Sequence, residues 1–450
     1  MTPLDSTIFG PLFSDADISD LFTDRAFIYR LVEVEIALAR AEAKLGLIPK
    51  SAAEAISQTR ADGIDPGALT KGTVRSGFPL IALVEELRRQ TGPDAALYVH
   101  WGATTQDIMD TGAVLQMRAA IEIFKSRIAE MGRHLSTLAD RHRATVMAGR
   151  THSQQALPVT FGLKAAAWLA PFVRHEERLE ELSRRLLVVQ FGGAAGTLAA
   201  LGDKGPAITK ALADELGLTV PLMPWHAQRD SLAEFASWLS LVTGTLGKMG
   251  QDVILLAQTE VAEAAETAEE GRGGSSTMPQ KRNPIASELI LAAARMNAAL
   301  LSAMHNAQIQ EHERGTHGWQ VEWVSLPQMI TLTSGALKHG INLAENLQVD
   351  EARMRDNVGR GNDLILAEAA VFALASVMPR SEAEECVKRS VATALAQDRS
   401  LIEVVREITT EKVAETEIDW QALSRPENYL GETCELIDAV LTRAKKTWSS

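Results

Sequence analysis

The stretch Gly271-Arg272-Gly273-Gly274-Ser275-Ser276-Thr277-Met278-Pro279-Gln280-Lys281-Arg282-Asn283-Pro284 decides how the rest of this 450-residue chain is read. Glycine loses the most backbone freedom on ordering, so the first half favours neither helix nor strand. Two prolines stiffen the second half and remove backbone donors. The segment also carries two serine hydroxyls, an ammonium, two guanidinium groups and two side-chain amides. Such a loop can close over a small anion and present several donors to it. A flexible connection bearing a solvated Lys-Arg pair is the plainer alternative. A phosphate-cradling loop is excluded, because Lys281 follows Pro279-Gln280 and no strand pattern leads in. Asn283-Pro284 supplies an N-cap and first-turn pair for a following helix.

Long helical patterns flank this stretch. Before it, Leu246, Met249, Val253, Leu256, Ala257, Val261 and Ala264 recur at three- and four-residue steps. After it, Leu289, Ala293, Met296, Leu300, Met304 and Ala307 do the same, which predicts a helix over 285–313. Leu115, Ile121, Phe124, Ile128, Met131, Leu135 and Leu138 mark another. The prolines leave five long Pro-free intervals, 94–157, 172–205, 225–278, 285–326 and 328–378. The expectation is an all-α fold with a central antiparallel bundle of about five long helices. Hydrophobic residues make up 46% of the chain and aromatics only 5%, a mix better suited to close-packed helices than to a β-sandwich. Residues 1–110 read as an N-terminal helical domain, with one helix at Phe27–Gly46 and a shorter one at Pro79–Gln90. Residues 111–349 read as the long-helix bundle carrying the loop 271–284, and 350–450 as a C-terminal helical domain. Ala-rich helices with several apolar faces predict a symmetric oligomer.

The net charge of −13 argues against nucleic acid or an anionic membrane as partner. An anionic substrate would then need a local cationic pocket. Cys386 and Cys434 have neither metal nor redox spacing, and the N-terminus shows no secretory pattern, so the reading is cytoplasmic. No Cys/His constellation or carboxylate cluster has metal-ligand spacing, and neither metal nor cofactor is expected.

Two further segments carry chemistry. His100-Trp101-Gly102-Ala103-Thr104-Thr105-Gln106-Asp107 precedes a long helix, either as a plain N-cap region or as a carboxylate site at the helix N-terminus. Gly149-Arg150-Thr151-His152-Ser153-Gln154-Gln155-Ala156-Leu157-Pro158-Val159-Thr160-Phe161-Gly162 lies in a turn between two bundle helices, with His152 an ordinary polar residue or a catalyst. Gln228-Arg229-Asp230 opens a helix as a charge pair or as part of a site. His312, Arg314 and His317 end the long helix, solvated or facing substrate.

Taken together these segments resemble the class II fumarase/aspartase superfamily. Gly274–Pro284 matches its signature G-S-S-x-x-P-x-K-x-N-P, 149–162 its G-R-T-H-x-Q-x-A-x-P-x-T-x-G, and 100–107 its H-x-G-x-T-S-x-D/N with Thr105 in place of the commoner Ser. The resemblance implies three domains per chain, a homotetramer whose long helices form one central bundle, and active sites where segments of three subunits meet. It implies Ser275 as the base acting α to a carboxylate, His152 as an acid/base partner oriented by Glu288, and Lys281 as a stabiliser of the enolate-like intermediate. Thr104, Thr105, Gln154, Arg229, Ser276, Asn283 and Arg314 fall where substrate would bind. The branch most resembled is that of the bacterial 3-carboxy-cis,cis-muconate cycloisomerases, which lactonise a polycarboxylate in the protocatechuate branch of the β-ketoadipate pathway. Gly77-Phe78-Pro79-Leu80 stands where adenylosuccinate lyases carry a His-Asp pair. The alternatives are a fumarate-releasing lyase of the adenylosuccinate or argininosuccinate type, and a catalytically silent, crystallin-like protein.

Overall fold

The computed structural model describes residues 3–267, 278, 281–414 and 417–448. Helices dominate it. The N-terminal part contains α1 (Asp24–Lys44), and then come α2 (Thr105–Arg141), the hairpin strands β1 (Val146–Thr151) and β2 (Gln154–Thr160), α3 (Phe161–Leu186) and α4 (Asp230–Leu256). A two-residue strand β3 (Ala264–Ala265), α5 (Ile285–Ala307), α6 (Gly318–Asn346) and β4 (Gln348–Val349) follow. Shorter helices occupy the remainder to Trp448. The five long helices of the sequence pattern are therefore α2 to α6, and the fold is all-α.

Three local expectations need correction. The helix predicted over 285–313 stops at Ala307. There the Gln310 side-chain amide donates to the Ala307 carbonyl at 2.7 Å, taking the acceptor that a continuing helix would use. His312, Arg314 and His317 consequently lie in the connection to α6 rather than on a helix end. Pro171 and Pro327 do not bound helices but sit inside α3 and α6. Each leaves a carbonyl four residues earlier without a helical donor, yet Leu169, Phe172, Met329 and Ile330 around them are fully buried. Packing outweighs the lost bond. The turn at 149–162 is a β-hairpin, paired from Val146↔Thr160 to Thr151↔Gln154.

The chain divides into two compact units. The first comprises Met1–Ile128, His175–Leu246 and Leu289–Lys338. Its core includes Phe124, Phe235 and Trp238, with the rings of Phe235 and Trp238 stacked at 5.9 Å. Asn297 on α5 is fully buried and donates to Thr333 at 2.9 Å on α6. On α1, Glu35 and Glu42 are seven residues apart and both buried. Glu35 faces His100 Nδ1 at 2.6 Å. Neither carboxyl oxygen of Glu42 has a hydrogen-bond partner among the described residues.

The second unit comprises Ala129–Arg174, Gly247–Glu288 and His339–Ser450. It holds the hairpin, the β3–β4 pair and a C-terminal core built on Leu366, Ala370, Leu374, Leu401 and Val405. The hairpin is stitched to its unit by Arg150, whose guanidinium donates to both oxygens of buried Glu263 at 2.7 and 2.8 Å. The Glu266 carboxylate accepts from Ala286 N at 3.1 Å, and from Ser287 N and Oγ at 2.8 Å each. It thus caps α5 and ties together the two ends of the stretch between them.

Burial, and then the charge of Glu35, push the Glu42 carboxyl up to about 9 from 4.5. The folded chain therefore keeps a proton that the unfolded chain releases, and stability falls as pH rises from 4.5 toward 9. The slope approaches about 1.4 kcal/mol per pH unit within that window. Glu42→Gln, which cannot ionise, should melt above the parent at pH 8, with the gap closing toward pH 5 in thermal unfolding.

Candidate functional site

In the first unit the site is built on the N-terminus of α2. Thr104 occupies the N-cap and Asp107 the third helical position, and Asp107 Oδ2 accepts from the Thr104 backbone N–H at 3.0 Å. That is one half of a capping box. The other half is given up, because Thr104 Oγ1 instead accepts from Arg314 at 2.8 Å. The structure thus brings together Thr104 and Arg314, two residues singled out from sequence. Thr105 opens the helix itself, where free N–H groups and the helix dipole favour an anion.

Asp107 is fully buried and anchors much more than its own helix. Gln190 Nε2 donates to it at 3.1 Å, and the backbone N–H groups of Gly192 and Gly193 at 2.9 Å each. His226 Nε2 lies 2.7 Å from Oδ1. The Gly192-Gly193 turn can approach this closely because neither residue has a side chain. A Cβ at Gly192 would fall 2.7 Å from Pro224, and Gly193 has φ +69°. Next to this turn, the Ala194 carbonyl accepts from Arg314 NH1 at 3.4 Å. Sequence reasoning assigned no role to Asp107, Gln190 or His226. The Gly-Gly pair and an acidic residue three positions after an N-cap were the available signals.

Arg229, expected among the substrate contacts, is buried in the first unit. Its guanidinium is buried and grips Asp110 at 2.7 and 3.0 Å and Glu322 at 2.9 and 2.5 Å, over the Trp225 ring at 4.9 Å. Burial alone would lower its affinity for the proton, but Asp110 and Glu322 more than reverse this and hold it charged. A cavity of about 440 Å³ adjoins the cluster, walled by Met109, Trp319, Trp323, Leu326 and Ile330. Among the described residues Arg229 is the one cation lining it, against Asp24, Asp110 and Glu322, so it suits a polycarboxylate poorly. Phe78 stacks on Trp319 at 5.7 Å.

His100 supports the same region. Burial pushes its imidazole down, but the adjacent Glu35 carboxylate, joined by the charge of Asp107, outweighs this and lifts it above its ordinary value.

His152, Gln154, Lys281, Asn283 and Glu288 belong to the second unit. His152 and Gln154 are exposed at the hairpin, His152 in its two-residue turn. His152 and Ser153 have φ of 48° and 63°, the pattern of a type I′ turn. Gly149, at the register shift beside Arg150, admits no Cβ without coming within 2.9 Å of the Leu157 carbonyl. Lys281 is exposed, Asn283 is half-buried just before α5, and Glu288 is exposed in its first turn. Among the described residues no hydrogen bond joins Glu288 to His152. Ser275 and Ser276 lie outside the described residues. No group of three or more His, Cys, Asp or Glu among the described residues is placed to hold a metal ion.

A family model described as Lyase matches residues 14–296. A relative from Pseudomonas aeruginosa named 3-carboxy-cis,cis-muconate cycloisomerase is 44% identical, covering 96% of this chain and 95% of its own. One of the same name from Acinetobacter baylyi is 41% identical, covering 98% and 99%. The crystal structure of the 3-carboxy-cis,cis-muconate lactonizing enzyme from Pseudomonas putida superposes with a TM-score of 0.91 at 40% identity, covering 98% of this chain and 100% of that one.

The buried Arg229 cluster predicts a stability defect rather than a binding defect. Arg229→Met leaves Asp110 and Glu322 buried without their cation, and chemical denaturation should register a loss of about 3–5 kcal/mol. A substrate ligand at this position would instead raise KM and leave the unfolding midpoint in place.

Proposed function

The chain belongs to the lyase family, and within it we propose a 3-carboxy-cis,cis-muconate cycloisomerase. The observation that carries this reading is likeness to curated cycloisomerases sustained over 96–98% of the chain, not only at the three motifs. The reaction adds a carboxylate oxygen of the substrate to the substrate's own double bond. One C–O bond forms as one π bond breaks, a proton joins the α carbon, and no group leaves. The attacking carboxylate is already ionised and needs no base. A trianion becomes a dianion, so turnover at neutral pH takes up one proton.

In this reading Ser275 delivers the α proton, its alkoxide held by Lys281 and by loop N–H groups. Lys281 and Asn283 meet the charge that builds on the enolate-like intermediate. The N-terminus of α2, with Thr104, Thr105 and Arg314, binds a substrate carboxylate, and Gln154 and Ser276 complete the contacts. His152, oriented by Glu288, binds or orients a second carboxylate. Arg229 leaves the set of ligands and becomes part of their support. Phe78 on Trp319 favours a substrate without a nucleotide.

The assembly is a homotetramer in which segments from three subunits complete each site. What supports this is α5, an apolar helix of 23 residues with only 28% of its most apolar window buried within one chain. Light scattering at micromolar concentration should report four chains per particle, and a stable monomer would defeat the shared site.

The activity itself is tested with 3-carboxy-cis,cis-muconate. Its ultraviolet absorbance should fall with uptake of one proton per molecule consumed, followed in a weakly buffered solution. Release of fumarate from adenylosuccinate at a comparable rate would favour the lyase reading instead. Ser275→Ala should lower turnover by roughly 10²–10⁴-fold with tricarboxylate binding retained, and His152→Asn should cost less.

A further inference from the structure

We propose that Gln106 is a positioning residue that aims Arg314 as a carboxylate-binding arm, its own orientation set by the buried Asp110–Arg229–Glu322 cluster. The proposal rests on the assignment of Arg314 to substrate binding made above. Gln106 is only 2% exposed. Its Nε2 donates to Asp110 Oδ2 at 3.1 Å and to the His226 carbonyl at 3.0 Å. Both amide hydrogens are thereby used, and flipping the amide would set its oxygen against a carboxylate and a carbonyl. The carbonyl oxygen is left facing Arg314, whose Nε–H it accepts at 3.4 Å.

Arg314 is thus held at two of its three guanidinium nitrogens. Gln106 takes Nε, while Thr104 Oγ1 and the Ala194 carbonyl take NH1. Its NH2 nitrogen donates to none of the described residues, which leaves two hydrogens in a fixed plane for an incoming carboxylate. Behind Gln106 nothing is loose. Asp110 accepts from both terminal guanidinium nitrogens of Arg229, from Trp319 Nε1 at 2.9 Å and from Gln106, and Arg229 is clamped from the far side by Glu322. The ion cluster thereby fixes an amide, and the amide fixes a guanidinium. A neutral relay is required here, because a carboxylate at 106 would face Asp110.

The test is a double-mutant cycle of Gln106→Met and Arg314→Met, which separates acting through Arg314 from general support of the fold. Each single change should raise KM for 3-carboxy-cis,cis-muconate about tenfold, the scale of a lost charge-assisted hydrogen bond, with kcat changed far less. The double variant should be no worse than Arg314→Met alone. Multiplying effects, or a fall in kcat at unchanged KM, would overturn the proposal. Calorimetric binding of propane-1,2,3-tricarboxylate reads the same cycle without turnover, so a chain that fails to lactonise still tests the arm. Gln106→Asn, one methylene shorter, withdraws the oxygen from Arg314 while keeping a buried amide, and replaces Gln106→Met if that variant does not fold.

Discussion

One buried carboxylate holds the functional end of the first unit together. Asp107 has no exposed surface, and such a group is tolerated only when donors replace water on both oxygens. It collects them from its own helix start, from a side chain 83 residues away, from two adjacent backbone amides and from a histidine 119 residues away. The turn at 192–194 and the start of α2 consequently share one anchor. Arg314 bridges the same two elements through Thr104 and Ala194. Remove the carboxylate and these positions lose their common reference.

The long helices were legible in the sequence because a three- and four-residue apolar period survives wherever a helix buries a stripe. Prolines were a poorer guide. Pro171 and Pro327 fall among side chains buried so completely that the surrounding packing tolerates a missing hydrogen bond. The hairpin was missed because its turn is His-Ser, without the Asn-Gly or Asp-Gly that announces such turns. The early end of α5 was hidden in one side-chain bond from Gln310.

The site divides in the same way. Thr104 and Arg314 could be named from their segments, but their contact spans 210 positions and follows no spacing. Arg229 is named as a ligand through the resemblance of its Gln-Arg-Asp triplet, with a helix-start charge pair as the alternative. Only the placement of Asp110 and Glu322 around it reveals that its charge is already neutralised. Polar relays of this kind leave no periodic trace, since each member contributes one atom at one angle.

The left-handed turn at His152-Ser153 sets a trap for stability-guided redesign. Two residues with side chains occupy backbone angles that Asn and Gly adopt with far less strain. Any procedure that ranks substitutions by folding free energy will favour an Asn-Gly tip and will regard the change as harmless, because His152 is exposed and bonded to little within one chain. The gain would come from erasing the imidazole at the centre of the second motif. A sturdier protein with a relaxed hairpin tip is the expected product of such a screen.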